Sequence, residues 1–564
     1  MFVAYPKTPE EDGRHFFFQF ETVKAAIRTY RELPLWNPFD CHGIPLWNHP
    51  ESMAGAPLLL LTAGLSTTVT MILWNVVHVA AGFVSMWLLA RDDVKLSRLA
   101  SMVAATMWAF GTAHTSQYAG EHETLAGFLY APLLLFLWRK AEGSWNARVG
   151  LGIAVALLVF EGATYPLPYT LLVLGLETLT RVWPPRRLAK IVEAGFVVAV
   201  VAIVLSAGRL LPLVDELRAH KRPMEPDFDH LLRLRSLVDM YALRTPHWRA
   251  RFGEQQYVIG EYITYIGWLG LALVLLGMAM ATIEHAWLLA LAAMTFVFML
   301  GHFAPWAPYT FLQKHVLPFK SMRVPSRYRI LLLVQLCLFV GLAIDKLPVL
   351  LRRTFGAPRL EGAARAALVG LAFVAAGDAI GLGQEILLYR FNGAPEQRVT
   401  RAAHFQYGGA GIAPDFIDQP RQNQAWLGCR HYTWAFAADA PVWTGDVPQA
   451  KALDEGAIVE ASSRTHNTFT FDVVATRPSR IVLNSAYDRG WTTDVGTIAE
   501  NGDKLLAVDV PEGRHHVRAK YWPRYLTLGL ASSGAGTVLV LLFFLRGFLR
   551  ERLRRRGKRR ARAT

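Results

Sequence analysis

Apolar runs of membrane-crossing length recur between residues 68 and 384 and appear once more after residue 523. A bilayer core of ~30 Å takes about 20 residues of helix to cross. In hydrocarbon a chain must also satisfy its own backbone, so each run predicts a helix. The pattern predicts eleven spans, with approximate cores at 68–90, 98–115, 123–139, 148–164, 165–181, 190–212, 258–282, 286–303, 327–347, 364–384 and 524–546. The spans at 148–164 and 165–181 are short, and Pro166 and Pro168 mark a sharp turn between them. The apolar stretch 57–64 is too short to cross and reads as re-entrant or interfacial. Only 18% of residues are charged and 53% are hydrophobic, against roughly 25% charged in an ordinary soluble chain. A disordered protein, a collagen-like repeat and a conventional soluble enzyme are excluded.

Charge sets the expected orientation. The net charge is +15, and the stretch from Arg546 to Thr564 holds ten basic residues and one acid, Glu551. A basic tail directly after an apolar helix faces the cytoplasm and anionic lipid, so no nucleic-acid partner is expected. The loops at Arg91–Arg98, Arg139–Arg148, Arg181–Lys190 and Lys346–Arg365 carry 3, 3, 4 and 5 Lys/Arg. With eleven spans they fall on the same side as the tail. Residues 1–67, 213–257, 304–326 and 385–522 then face outward. The expected location is the bacterial inner or plasma membrane.

Segment 385–522 has no spanning run. It alternates instead, as in Thr468-Phe-Thr-Phe-Asp-Val-Val474 and Leu505-Leu-Ala-Val-Asp-Val510. Period-2 runs bounded by Gly and Pro turns predict antiparallel strands and a small β-sandwich. The fold class is therefore mainly α, a polytopic helical membrane protein with a small β domain before the last helix. The domains are an outer N-terminal loop with short helices (1–67), a helical membrane domain (68–384), the outer β-rich domain (385–522), the last span (523–546) and a basic tail (547–564). The polar, aromatic start is placed outside with nothing before it to carry it across, which predicts a further helix upstream in the parent protein.

The outer N-terminal loop reads Glu10-Glu-Asp-Gly-Arg-His-Phe-Phe-Phe-Gln-Phe20, then Leu33-Pro-Leu-Trp-Asn-Pro-Phe39 and Gly43-Ile-Pro-Leu-Trp-Asn-His-Pro50. Further on stand Leu211-Pro-Leu-Val-Asp-Glu-Leu-Arg218, Arg323-Val-Pro-Ser-Arg-Tyr-Arg329, Gly490-Trp491, Pro511-Glu-Gly-Arg-His-His-Val517 and Tyr521-Trp-Pro523. In this order the motifs resemble the bacterial YfhO-type membrane proteins, of the GT-C class of polytopic glycosyltransferases. The resemblance implies transfer of a sugar from a polyprenyl-phosphate-linked donor to a cell-envelope acceptor, at the outer membrane face. It also implies a catalytic carboxylate in the first outer loop, a role carried over here to Asp12. A carboxylate there suits an acceptor hydroxyl that must lose its proton. Without the resemblance, Glu10, Glu11 and Asp12 read equally as the acidic start of a helix.

Other candidates follow from residue type and depth. His15 and Gln19 share a helix face with Asp12 and are candidates to line the substrate pocket. Glu161, in an apolar helix, is costly unless it faces a polar cavity or a partner helix. Arg323, Arg327 and Arg329, with Arg209 as a weaker member, are candidates for donor phosphate through the planar guanidinium fork, or they snorkel to headgroups. Trp36, Trp47 and Trp306 are candidates to stack on sugar rings, or belong to an interfacial belt. Glu121, His122 and Glu123, with His114, are a candidate site for a divalent metal, or cap the following helix. Cys41 and Cys429 both lie outside and are close enough in topology to pair. No Walker loop, HExxH, CxxC or GxSxG is present. The rival function is a non-enzymatic membrane protein, either a lipid-linked-sugar transporter or an assembly factor.

Overall fold

The computed structural model describes residues 12–119, 122–184, 186–220, 232, 234–244, 259–390, 399–408, 416–427 and 440–560. The protein is mainly helical with one β domain. Helix α1 (Asp12–Ala25) opens the described chain. The bundle follows, with α2 (Thr67–Leu88), α3 (Arg98–Ala109), α4 (Thr112–Ala119), α5 (Ala131–Ala141), α6 (Trp145–Phe160), α7 (Pro166–Leu179) and α8 (Arg186–Ala219). It continues with α9 (Gly267–Ala279), α10 (Ala286–Met299), α11 (Tyr328–Phe355), α12 (Pro358–Arg390) and, after the β domain, α13 (Leu526–Arg560). Among the described residues, five helical stretches are long and apolar enough to cross a bilayer: Thr67–Asp93, Arg186–Ala219, Pro325–Phe355, Pro358–Leu387 and Leu526–Leu549. That makes the chain a multi-pass membrane protein. Each of the eleven expected cores overlaps helix, with different bounds, but only these five, or six with one bent pair, have the length and apolarity of a span among the described residues. The stretch expected at 98–115 breaks into α3 and α4 at Phe110–Gly111, and 123–139 begins with a 3-10 segment, Glu123–Tyr130, before α5. The stretches at 258–282 and 286–303 become the short α9 and α10, bent by 117° at their junction.

Caps and small residues explain local geometry. Ser66, Ser97 and Ser144 each accept the N–H three residues on, starting α2, α3 and α6. Helix α11 is the bundle's centre, with most of its side chains from Tyr328 to Ile344 buried. Helix α13 packs on α8 where Gly529 meets Ala207. A Cβ on Gly529 would sit 2.4 Å from the Ala207 carbonyl oxygen, the close backbone approach that small residues allow between spans.

The β domain is a sandwich of two four-stranded antiparallel sheets. Its strands are β1 (Ala450–Ala452), β2 (Ala457–Arg464), β3 (Thr468–Ala475), β4 (Ser479–Ala486), β5 (Trp491–Thr493), β6 (Thr497–Glu500), β7 (Leu505–Val510) and β8 (Gly513–Tyr521). The sheet orders are β6-β7-β4-β1 and β2-β3-β8-β5. Phe469, Phe471 and Val473 of β3 point into the core, as the period-2 alternation requires. Strand β7 is buried on both faces. Leu506, Val508 and Val510 enter the sandwich core, while Leu505 and Ala507 pack against Ala440 and Trp443.

The outer N-terminal segment and the sandwich share one core. Phe17, Phe20, Trp36, Phe39 and Trp47 belong to the same cluster as Phe471, Leu483 and Tyr521. Asn467 stitches the two: its Oδ1 accepts the Trp36 N–H at 3.0 Å, and its Nδ2 donates to the Leu33 carbonyl at 2.7 Å. Glu32 accepts from Thr465 and from the Asn467 N–H. His466, enclosed here, has its imidazole pushed down to about 3 by burial, so it packs as a neutral ring beside the Thr22 carbonyl.

Candidate functional site

The connecting segments sort into two sets. At one end of the bundle Arg139 bonds Asp93 and Glu177, Arg181 bonds Glu177 and Glu142, and Arg148 bonds Glu193. Asp345 accepts the Ser97 N–H at the same end. At the other end α1, the turn at 161–166, the segment 259–266 and the start of α11 meet beneath the sandwich. The candidate site lies at this second end.

Its main feature is a cavity of about 670 Å³ between α2, α4, the 3-10 segment at 123–130 and α12. The walls are apolar: Val76, Val79, Phe83, Leu129, Ile380 and Leu387. The polar lining residues are Asn75, His114, Thr115, Gln117, Tyr118, His122 and Gln384. His114 packs edge-on against Trp108, and its buried Nε2 has no hydrogen-bond partner among the described residues. Gln117 donates to the Gly260 carbonyl at 2.8 Å and to Glu261 at 3.3 Å. The cavity thus joins apolar walls to a polar lining, its polar head, contributed mostly by α4.

Asp12 stands at the first position of α1. One turn on, His15 and Gln19 lie buried on one face, with Gln19 Nε2 2.7 Å from His15 Nε2. The neighbouring Phe16 ring meets His122 edge-on at 6.5 Å, so α1 adjoins the polar head. His122 Nε2 is 4.0 Å from Glu261. Glu123 is buried nearby. Glu121 lies outside the described residues, so the trio expected to hold a metal is not seen together. Among the described residues no group of three or more His, Cys, Asp or Glu side chains could hold a metal ion.

The arginines divide. Arg327 is buried and grips Glu261 with two nitrogens, its Nε lying 2.9 Å from Oε2, while its guanidinium stacks 4.1 Å from the Tyr165 ring centre. Arg329 is fully buried and donates to the Gly260 and Ile263 carbonyls. Arg209, also fully buried, donates to the His49 and Ser52 carbonyls and pins the outer loop to α8. These three hold loops in position, and Arg209 Nε and Nη1 and Arg329 Nη1 have no hydrogen-bond partner among the described residues. Arg323 is exposed. Glu161 is buried, 3.3 Å from His78 Nε2 on α2, the partner-helix alternative rather than an open pocket wall.

The tryptophans also divide. Trp36 is fully buried between Trp491 and Tyr521, at 5.3 and 4.6 Å between ring centres. Trp47 is buried and donates to the Gly208 carbonyl at 2.9 Å. Neither offers a free ring face to a sugar, because both rings serve the shared core. Trp306 is exposed. Cys41 is disulfide-bonded; Cys429, its expected partner, lies outside the described residues. Glu261, Asn75 and Gln117 were not singled out from sequence. The usable signal was Glu261 itself, an acid inside an apolar stretch, which requires a cationic partner such as Arg327.

No family model and no curated protein sequence matches the chain. Among solved structures, the chain is similar to the arabinofuranosyltransferase AftD from Mycobacteria, with TM-score 0.41 and 15% identity over 67% of this chain and 26% of that one. The chain therefore spans about a quarter of AftD's length. It is also similar to ArnT from Cupriavidus metallidurans bound to undecaprenyl phosphate, with TM-score 0.47 and 12% identity over 77% of this chain and 85% of that one.

Proposed function

We propose that the protein is a GT-C-type membrane glycosyltransferase that moves a sugar from a polyprenyl-phosphate-linked donor to a cell-envelope acceptor at the outer face. The observation that carries this reading is the shape and polarity of the 670 Å³ cavity. A polyprenyl chain suits the apolar walls. A sugar phosphate suits the polar lining at Asn75, His114, Gln117 and His122. The motif resemblance of the outer loop supports the same reading.

In the reaction an acceptor hydroxyl attacks the anomeric carbon. The bond from that carbon to the phosphate oxygen breaks, and its electron pair leaves with the polyprenyl phosphate. Asp12 takes the hydroxyl proton. Its place at the start of α1, one turn before Phe16, whose ring meets His122 of the cavity, supports this assignment. Arg323 is assigned to the donor phosphate.

The test is transfer by full-length protein in proteoliposomes with a polyprenyl-phosphate sugar. General-base catalysis is worth about 10²–10⁴-fold, so Asp12→Asn is expected to lose at least a hundredfold in transfer while still binding donor. Near-normal transfer by that variant removes Asp12 from the mechanism. One observation favours the non-enzymatic rival: Arg209, Arg327 and Arg329 are all engaged by protein groups. Donor binding without turnover in the wild type would establish that rival.

A further inference from the structure

A second cavity, of about 250 Å³, opens where the loop at 43–45, the end of α8 and the sandwich meet. It shares no lining residue with the larger one. Trp36, His220, Asp488, Arg489, Glu500 and Lys504 line it.

The cavity is built, not incidental. Asp488 is 7% exposed, and its Oδ1 accepts the Gly490 N–H at 2.7 Å. An ionised carboxylate has about four acceptor positions, so the local bonds leave some for a guest. Trp36 is fully buried, and its Nε1–H has no partner among the described residues. Gly43 keeps that edge clear: at φ +100°, a Cβ there would lie 2.8 Å from Nε1. The wall at α8 is stiffened by Glu216, which accepts from Asn48 Nδ2 at 2.8 Å and lies 2.8 Å from His220 Nδ1. Arg489 is held by Asp215 at 2.9 Å.

Chemistry narrows the guest. A phosphate would face the carboxylates of Asp488 and Glu500. A metal ion would face Arg489 and Lys504. An apolar guest would strip water from buried polar groups and return no hydrogen bonds. Donors and acceptors of both kinds converge on a space far smaller than the donor cavity, and a compact polyhydroxylated ring satisfies both.

We propose that this cavity binds one sugar residue of a cell-envelope glycan. Asp488 and Glu500 accept from its hydroxyls, while Lys504 and the Trp36 Nε1–H donate to its oxygens. The inference rests on the proposed function only in naming that glycan as the acceptor; binding itself needs no turnover.

Saturation-transfer NMR tests it on full-length protein in lipid nanodiscs. The probes are methyl β-D-glucoside, methyl α-D-mannoside and methyl α-L-arabinofuranoside. The wild type is expected to transfer saturation to at least one of them. Asp488→Asn is expected to weaken that binding about tenfold or more. Because Asp488 is buried, the rim variant Glu500→Ala/Lys504→Ala serves beside it and is expected to weaken binding about tenfold with its fold intact. No transfer to any probe, or equal affinity in the wild type and the rim variant, overturns the proposal. Glycoside binding without donor turnover overturns the donor reading and leaves this site standing. Turnover without glycoside binding does the reverse.

Discussion

The two ends of the helix bundle arrange buried charge differently. At the end where Arg139, Arg181 and Arg148 meet their acids, ion pairs form a graded network, from the enclosed Arg181–Glu177 pair at 7% and 0% side-chain exposure out to Glu193 at the rim, 56% exposed. At the end beneath the sandwich the Arg327–Glu261 pair is closed in, at 7% and 5% side-chain exposure. Exposed pairs contribute roughly 0–1 kcal/mol because water and salt screen them. Buried pairs are a net gain only with good geometry, but losing one partner strands the other. The first end therefore ties its loops through a network with both enclosed and exposed members, whereas the Arg327–Glu261 pair fixes where α11 begins relative to the 259–266 segment.

The sharpest break of this comparison is Glu261→Ala. Leaving the Arg327 charge buried and unpaired costs about 3–5 kcal/mol, so thermal unfolding in detergent should show a large loss. A change below ~1 kcal/mol would put this pair in the same class as the rim pairs.

Asp488 comes next. Burial, with the Glu216 charge adding to it, pushes its carboxyl up to about 6 from 3.8, while the Gly490 N–H, His220 and Tyr521 partly oppose the rise. The folded state therefore holds the proton more tightly than the unfolded chain. The penalty for ionising is absent below about pH 4 and complete above about pH 6. Two pKa units correspond to roughly 2–3 kcal/mol. Asp488→Asn should thus gain stability relative to the wild type as the pH rises from 4 to 7. A difference that stays constant across that range would show that this carboxyl is not perturbed.

Within one motif, Arg323 and Arg327 should separate. Arg323→Ala is expected to fold normally and to bind a polyprenyl-phosphate sugar about ten- to a hundredfold more weakly, from the loss of a charged hydrogen bond. Unchanged binding would assign Arg323 to lipid headgroups. The smallest effect belongs to the other end of the bundle. Glu193→Ala, which removes a largely exposed partner of Arg148, should cost ~1 kcal/mol or less, and a larger loss would show that the buried Arg148 depends on this pair.

Much of the fold was legible because hydrocarbon and sheet geometry impose strict periods. The long apolar runs give helices, and the alternation at 468–474 and 505–510 gives strands, with Phe469, Phe471 and Val473 inward as read. The site was less legible. Asp12, His15 and Gln19 share one helix, so their spacing already placed them together. Arg327 and Glu261 are 66 residues apart, and no local pattern links a cation at one helix start to an acid before another.

Sequence alone determined the polytopic class and the small β domain, because those follow from hydrophobic period. Only the tertiary structure decided which polar residues remain available for a substrate. Trp47 and Arg327 look like ligands in the sequence and are enclosed as core and tether. Asn75, Gln117 and Asp488 look ordinary and line cavities. Availability depends on what packs over a side chain, and for these residues the covering groups come from remote parts of the chain.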